Sequence, residues 1–88
     1  MGKKVMIVDD SRTIRQQVSF TLSKGGYEVV EAEDGIEGLS KLDENPDTAM
    51  IISDVNMPNM SGLEMAEKMK EKGVNIPIVM LTTEGASD

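Results

Sequence analysis

The chain has 88 residues, enough for one small domain, and carries a net charge of −7 with neither cysteine nor histidine. The missing cysteines exclude disulfides and thiolate metal sites, and the missing histidines exclude imidazole catalysis, His-based triads and the common zinc constellations. So acidic a balance argues against nucleic acid as a partner, and it leaves oxygen ligands for any metal, which favours Mg²⁺, Mn²⁺ or Ca²⁺. In chain order, the apolar run at residues 5–8 reads as a strand buried on both faces. It ends in two adjacent carboxylates, Asp9 and Asp10. Residues 11–24 then carry Ile14, Val18 and Leu22 at four-residue spacing, one face of a helix, and Gly25-Gly26 stops it as a left-handed cap would.

Residues 27–32 (YEVVEA) read as a second strand. Asp34 followed by Glu37 reads as a helix N-cap with an acidic third position, and Ile36, Leu39 and Leu42 supply its expected buried stripe. That helix stops before Asn45-Pro46. Residues 49–52 form a third strand that runs into Ser53 and Asp54. Ser61 and Glu64 make a capping box for a third helix, whose expected inner face is Leu63, Ala66 and Met69 with Met65 beside it. Gly73 ends it, and residues 77–81 (PIVML) read as a fourth buried strand reaching Thr82 and Thr83. The eight methionines read as adaptable core filler rather than a binding surface. No apolar stretch reaches the ~18 residues of a membrane span and the start does not read as a signal peptide, so no membrane contact and a cytoplasmic location are expected.

Strands alternating with helices through short loops imply parallel strands, right-handed crossovers and an α/β sheet covered by helices. The functional crevice of such a sheet lies beyond the carboxyl ends of its strands, where Asp9, Asp10, Asp54 and Thr82-Thr83 all fall. Two carboxylates about 5 Å apart repel by roughly 3 kcal/mol at an effective dielectric near 20. Asp10 alone can be read as the cap of the first helix, but capping does not explain Asp54 at the end of a strand. A hard divalent cation offsets the repulsion, and one beside a carboxylate nucleophile shields it from an incoming phosphoryl group. The spacing Asp43-x-Asn45-x-Asp47 is not an EF-hand loop: Thr48 replaces its glycine, Pro46 interrupts it, and Asp54 stands where the bidentate glutamate belongs. No Gly-rich phosphate loop is present.

The segments VMIVDDS, SDVNMPNMSG and PIVMLTT, in this order and spacing, resemble the receiver domain of two-component response regulators, similar to the single-domain chemotaxis receivers. The resemblance implies a flavodoxin-like doubly wound parallel sheet, of strand order 2-1-3-4 as far as this chain runs. It implies Asp54 as phosphoacceptor, Asp9 and Asp10 as the acidic pair that holds Mg²⁺ together with Asp54, and Asn56 as donor of a backbone carbonyl to the metal. Met57-Pro58 and Gly62 match the family's loop after the phosphorylated strand. Thr82 matches the hydroxyl that hydrogen-bonds the phosphoryl group and switches conformation. The implied activity is Mg²⁺-dependent transfer onto Asp54 from a histidine kinase or a small phosphodonor, then hydrolysis. The protein is then a switch that catalyses at most its own modification.

The family's domain is about a third longer. Residues 1–88 are accordingly expected to be a partial receiver domain, truncated after the fourth strand and lacking the fourth helix, fifth strand and fifth helix. The family's phosphoryl-binding lysine lies in that part, so no residue here takes its role. The segments AMII and PIVML are expected to leave apolar side chains uncovered, and the last strand to be an open edge. The alternative expectation is therefore a fragment that self-associates through this face and edge, as a homo-oligomer or exchanged dimer, and has lost phosphotransfer.

Overall fold

The computed structural model describes residues 2–81. Seven elements follow one another: β1 (Lys4–Val8), α1 (Arg12–Lys24), β2 (Glu28–Ala32), α2 (Gly35–Glu44), β3 (Thr48–Asp54), α3 (Gly62–Glu71) and β4 (Ile78–Leu81). The strands form one parallel sheet in the order β2-β1-β3-β4. This is the expected doubly wound α/β arrangement. Thr82 and Thr83 lie outside the described residues.

The order fixes which side each helix takes. From β1 the chain steps one way to β2, then the other way to β3 and β4. Right-handed crossovers therefore put α1 on one face and α2 and α3 on the opposite face. The main core lies under α2 and α3: Met6, Val8, Ala32, Leu42, Ile51, Met65 and Met69. Met6, Met65 and Met69 are thus core, as expected of flexible fillers. Val5 and Ile7 are buried on the α1 side, so β1 is covered on both faces as its unbroken apolar run requires.

Local signals set the helix ends. Ser11 caps α1 through the Ile14 N–H (3.3 Å), and Asp34 caps α2 through the Glu37 N–H (2.8 Å). The Ser61–Glu64 capping box of α3 is complete in both directions, at 3.1 and 3.0 Å. Helix α1 ends in a Schellman turn: Gly26 sits at φ +91°, and the Tyr27 N–H reaches the Leu22 carbonyl at 3.1 Å.

Three expectations need correction. Ile36 and Leu63 are more than half exposed; α2 turns Gly35, Gly38 and Leu42 inward, and α3 turns Gly62, Met65 and Met69 inward. Both misplaced residues belong to a first helical turn, where glycine rather than the bulky neighbour faces the sheet. The strands also run longer than their apolar cores: β1 starts at Lys4, and β3 extends from Thr48 to Asp54. Finally, β4 is not the buried strand its apolar run suggests: Val79 and Leu81 are 44 % and 42 % exposed, in line with the expectation that PIVML leaves apolar side chains uncovered. They pair in register with Ile52 and Asp54, on the face that α1 only partly covers.

Candidate functional site

Parallel pairing decides what meets at the carboxyl edge of the sheet. Val8 is in register with Ser53, so the next residues, Asp9 and Asp54, emerge side by side, and Asp10 follows in the loop to α1. One carboxylate oxygen from each of Asp9, Asp10 and Asp54 lies within 4.8 Å of the others. No other trio of acidic, His or Cys side chains converges in this way among the described residues. Asp9 and Asp54 are only 4 % and 5 % exposed, whereas Asp10 is open to solvent.

The hydrogen bonds assign separate tasks to neighbouring residues. Asp9 accepts the Ser11 N–H at 2.8 Å, and Ser11 caps α1. The cap is therefore Ser11 and not Asp10, which leaves capping no claim on the Asp10 carboxylate. Burial is the largest influence on Asp9 and raises its pKa above the ordinary 3.8. The Ser11 N–H opposes this, the charges of Asp54 and Asp10 push it further up, and Arg15 pulls it down. Arg15 was not foreseen from the sequence. Its Nη1 donates to the Asp9 carbonyl oxygen at 2.6 Å and its Nε to Glu31 at 3.2 Å, so it ties the first turn of α1 to the β1 terminus and to β2. Its position four residues after the cap was the only available signal.

The loop from Val55 to Ser61 joins Asp54 at the end of β3 to the start of α3. The Asn56 N–H donates to Asp54 Oδ1 at 3.4 Å. The Gly62 N–H donates to the Val55 carbonyl at 3.0 Å, which brings the start of α3 down onto the end of β3. A β-carbon at Gly62 would overlap the Asp54 carbonyl oxygen and lie 2.9 Å from Ser53 Oγ, so this approach is open to glycine alone. Farther along the loop, Asn59 adopts φ +68° and donates from Nδ2 to Asp34 Oδ2 at 2.8 Å. The Glu37 N–H first, and this amide second, hold the Asp34 carboxyl below its ordinary value. Asp34 was legible only as a cap, and nothing in the pattern pointed to Asn59.

The donor set is all oxygen, anionic and partly desolvated, which suits a hard divalent cation and gives little hold on a soft one. A cavity of about 370 Å³ lined by Leu39, Leu42, Pro46, Val74 and Ile76 lies at the opposite edge of the sheet. It is apolar, and its charged neighbours Lys72 and Asp43 pair with each other at 3.3 Å. No helix among the described residues is long and apolar enough to cross a membrane.

Comparison with known proteins gives a consistent result. The profile of the family described as the response regulator receiver domain matches residues 5–88. The chain is 49 % identical over 85 residues to the chemotaxis protein CheY1 of Helicobacter pylori, covering 93 % of this chain and 68 % of that protein. Among solved structures it is similar to the Vibrio cholerae chemotaxis protein CheY4, with 48 % identity, a TM-score of 0.82, and coverage of 99 % of this chain and 73 % of that one. It is also similar to the Thermotoga maritima response regulator TrrA in complex with Mg²⁺–BeF, with 34 % identity, a TM-score of 0.86, and coverage of 96 % and 72 %. The chain spans about two thirds of the length of the curated chemotaxis relatives it matches.

Proposed function

The chain belongs to the response regulator receiver domain family, and from that premise we propose that it is a phosphoacceptor switch of two-component signalling, modified on Asp54. The observation that carries this reading is the convergence of Asp9, Asp10 and Asp54 within 4.8 Å at the carboxyl edge of the sheet. A carboxylate oxygen of Asp54 attacks the phosphorus of a phosphohistidine on a histidine kinase, or of a small phosphodonor. The P–N or P–O bond to the donor breaks, the leaving atom keeps its electron pair, and an acyl phosphate remains on Asp54. Attack of water on that phosphorus later releases inorganic phosphate and restores the carboxylate. Positioning and charge neutralisation supply most of the rate in such a transfer.

Mg²⁺ is the cation this reading assigns, held by Asp9, Asp10, Asp54 and the Asn56 backbone carbonyl. When bound, it supplies the positive charge that lets an anionic nucleophile and an anionic phosphoryl group approach. The all-oxygen trio supports that choice, as does the Mg²⁺–BeF complex of the Thermotoga relative. Asp9 and the Asn56 N–H aim and hold the pocket, Arg15 anchors the β1 terminus, and Thr82 is assigned the phosphoryl hydrogen bond and the conformational response. A cytoplasmic location, with a histidine kinase as partner, belongs to the same reading.

Intact-mass measurement after incubation with acetyl phosphate tests it. The chain is expected to gain one phosphoryl group only when Mg²⁺ is present, and Asp54→Asn to gain none. A folded sample that gains nothing with Mg²⁺ would overturn the assignment. A second reading, a partial receiver domain that self-associates and does not turn over, is favoured by one observation: the exposure of Val79 and Leu81 on the α1 side of the sheet.

A further inference from the structure

The loop that follows Asp54 is short of regular structure, yet it is tied at two points to the start of a different helix. Asn59 Nδ2 donates to Asp34 Oδ2 at 2.8 Å, and the Gly35 N–H donates to the Met60 carbonyl at 3.2 Å. Asp34 splits its carboxylate between two tasks. Oδ1 caps α2 through Glu37, and Oδ2 takes the Asn59 amide. Asp34 and Gly35 are buried, and α2 is seated on the core through Gly38 and Leu42, so the anchor is rigid. A β-carbon at Gly35 would come within 2.7 Å of Met60 Cγ, so the loop and the helix start are in direct contact. At φ +68°, Asn59 occupies a conformation that few residues other than glycine accept, and glycine would lack the side chain that makes the tie.

We propose that the Asp34–Asn59 hydrogen bond is a positioning contact: it holds the loop at residues 55–61 in the shape that presents the Asn56 carbonyl to the cation beside Asp54. The inference rests on the proposed function, because it concerns the same site. Its physical content is preorganisation. A metal ligand supplied by a loop carbonyl must be ordered before or during binding, and a loop already pinned to a rigid helix avoids that cost at the moment of binding. Asp34 and Asn59 are positioning residues and touch neither the cation nor the phosphoryl group.

Three variants separate this role from simple stabilisation. Asn59→Gly keeps the backbone conformation and the net charge while removing the tie. Asn59→Asp sets two carboxylates against each other. The double variant Asp34→Asn with Asn59→Asp restores the parent charge and re-forms the bond with donor and acceptor exchanged; asparagine still caps α2, and aspartate tolerates the left-handed region. Mg²⁺ affinity would be measured by titration calorimetry, and amide hydrogen exchange of residues 55–61 would be followed without metal. Asn59→Gly and Asn59→Asp are expected to weaken Mg²⁺ binding about tenfold and to speed exchange in the loop, with the double variant recovering both. Affinities within twofold of the parent, accompanied only by a lower melting temperature, would overturn the proposal and reduce the tie to a structural contact. A parent chain that binds no Mg²⁺ at all would overturn the proposed function itself, and with it any role for the tie, which distinguishes the two failures.

Discussion

At the scale of single residues, Asp9 and Asp34 are opposites, and pH separates them. Asp9 is buried beside two other carboxylates, and its folded pKa is raised. The folded state is therefore penalised wherever Asp9 is ionised, and the penalty is relieved as pH falls toward the ordinary value of 3.8. Replacing it with asparagine keeps the acceptor for the Ser11 N–H and removes the repulsion. Set against the roughly 3 kcal/mol of one such pair, and allowing for the lost attraction to Arg15, Asp9→Asn is expected to raise metal-free stability by about 1–2 kcal/mol at pH 7. That gain should shrink on acidification. Asp34 behaves the other way. Its pKa is lowered by the Glu37 N–H and the Asn59 amide, so its stabilisation is full above 3.8 and is lost as pH falls through the folded value. Asp34→Asn retains the cap and replaces a charge-assisted bond with a neutral one, which should cost ~1 kcal/mol at pH 7 and close to nothing well below 3.8. Urea denaturation across pH checks both: the two gaps have opposite signs and both close in acid.

At the scale of elements, the junction between β3 and α3 shows what periodicity can and cannot convey. The alternation of elements, the parallel sheet, the caps of α2 and α3 and the carboxylates at strand ends were legible, because each follows from short-range chemistry: apolar runs, capping side chains, acidic residues after them. The cap of α1, readable as Asp10, is Ser11. The inward faces of α2 and α3 were misread at Ile36 and Leu63. An apolar count gives weight to large side chains, but where a helix starts close against a sheet the residue that faces inward is the one with no side chain. Gly38 packs so near Met65 that a β-carbon would sit 2.8 Å from its sulfur, and Gly62 sits on the end of β3. The Asp34–Asn59 tie and the Arg15 anchor on Glu31 were illegible for another reason: they join residues 25 and 16 positions apart, and only the fold brings them together. Gly62→Ala therefore forces the β3 backbone or α3 to move, and the expected loss is about 2–3 kcal/mol. Ser61→Ala, which removes only the cap, should cost ~1 kcal/mol. Denaturation midpoints would rank the two, and equal losses would show that α3 does not press on Asp54.

At the scale of the whole molecule, the strand order distributes cover unevenly. Among the described residues two helices lie on one face and α1 on the other, and α1 contributes no fully buried residue. Folding and site are linked by mass action through the acidic trio. Under the proposed function Mg²⁺ would bind the folded chain at a site that the unfolded chain lacks, so unfolding free energy should rise by about 2.7 kcal/mol at a concentration 100 times the dissociation constant, with no such rise in Asp9→Asn. The open face adds a second linkage. Val79 and Leu81 belong to β4, which among the described residues pairs only with β3, and they extend the apolar row of Met50 and Ile52 toward solvent. Apolar side chains on an unprotected edge favour pairing with another copy. If that pairing occurs, the urea midpoint rises with protein concentration, whereas the Mg²⁺ increment is set by the ratio of cation to its dissociation constant. Replacing Val79 and Leu81 together by threonine keeps β-propensity while removing apolar surface, and should shift sedimentation toward monomer and flatten the concentration dependence. A parent midpoint that stays constant from micromolar to millimolar protein would show that the face is not closed by a second copy.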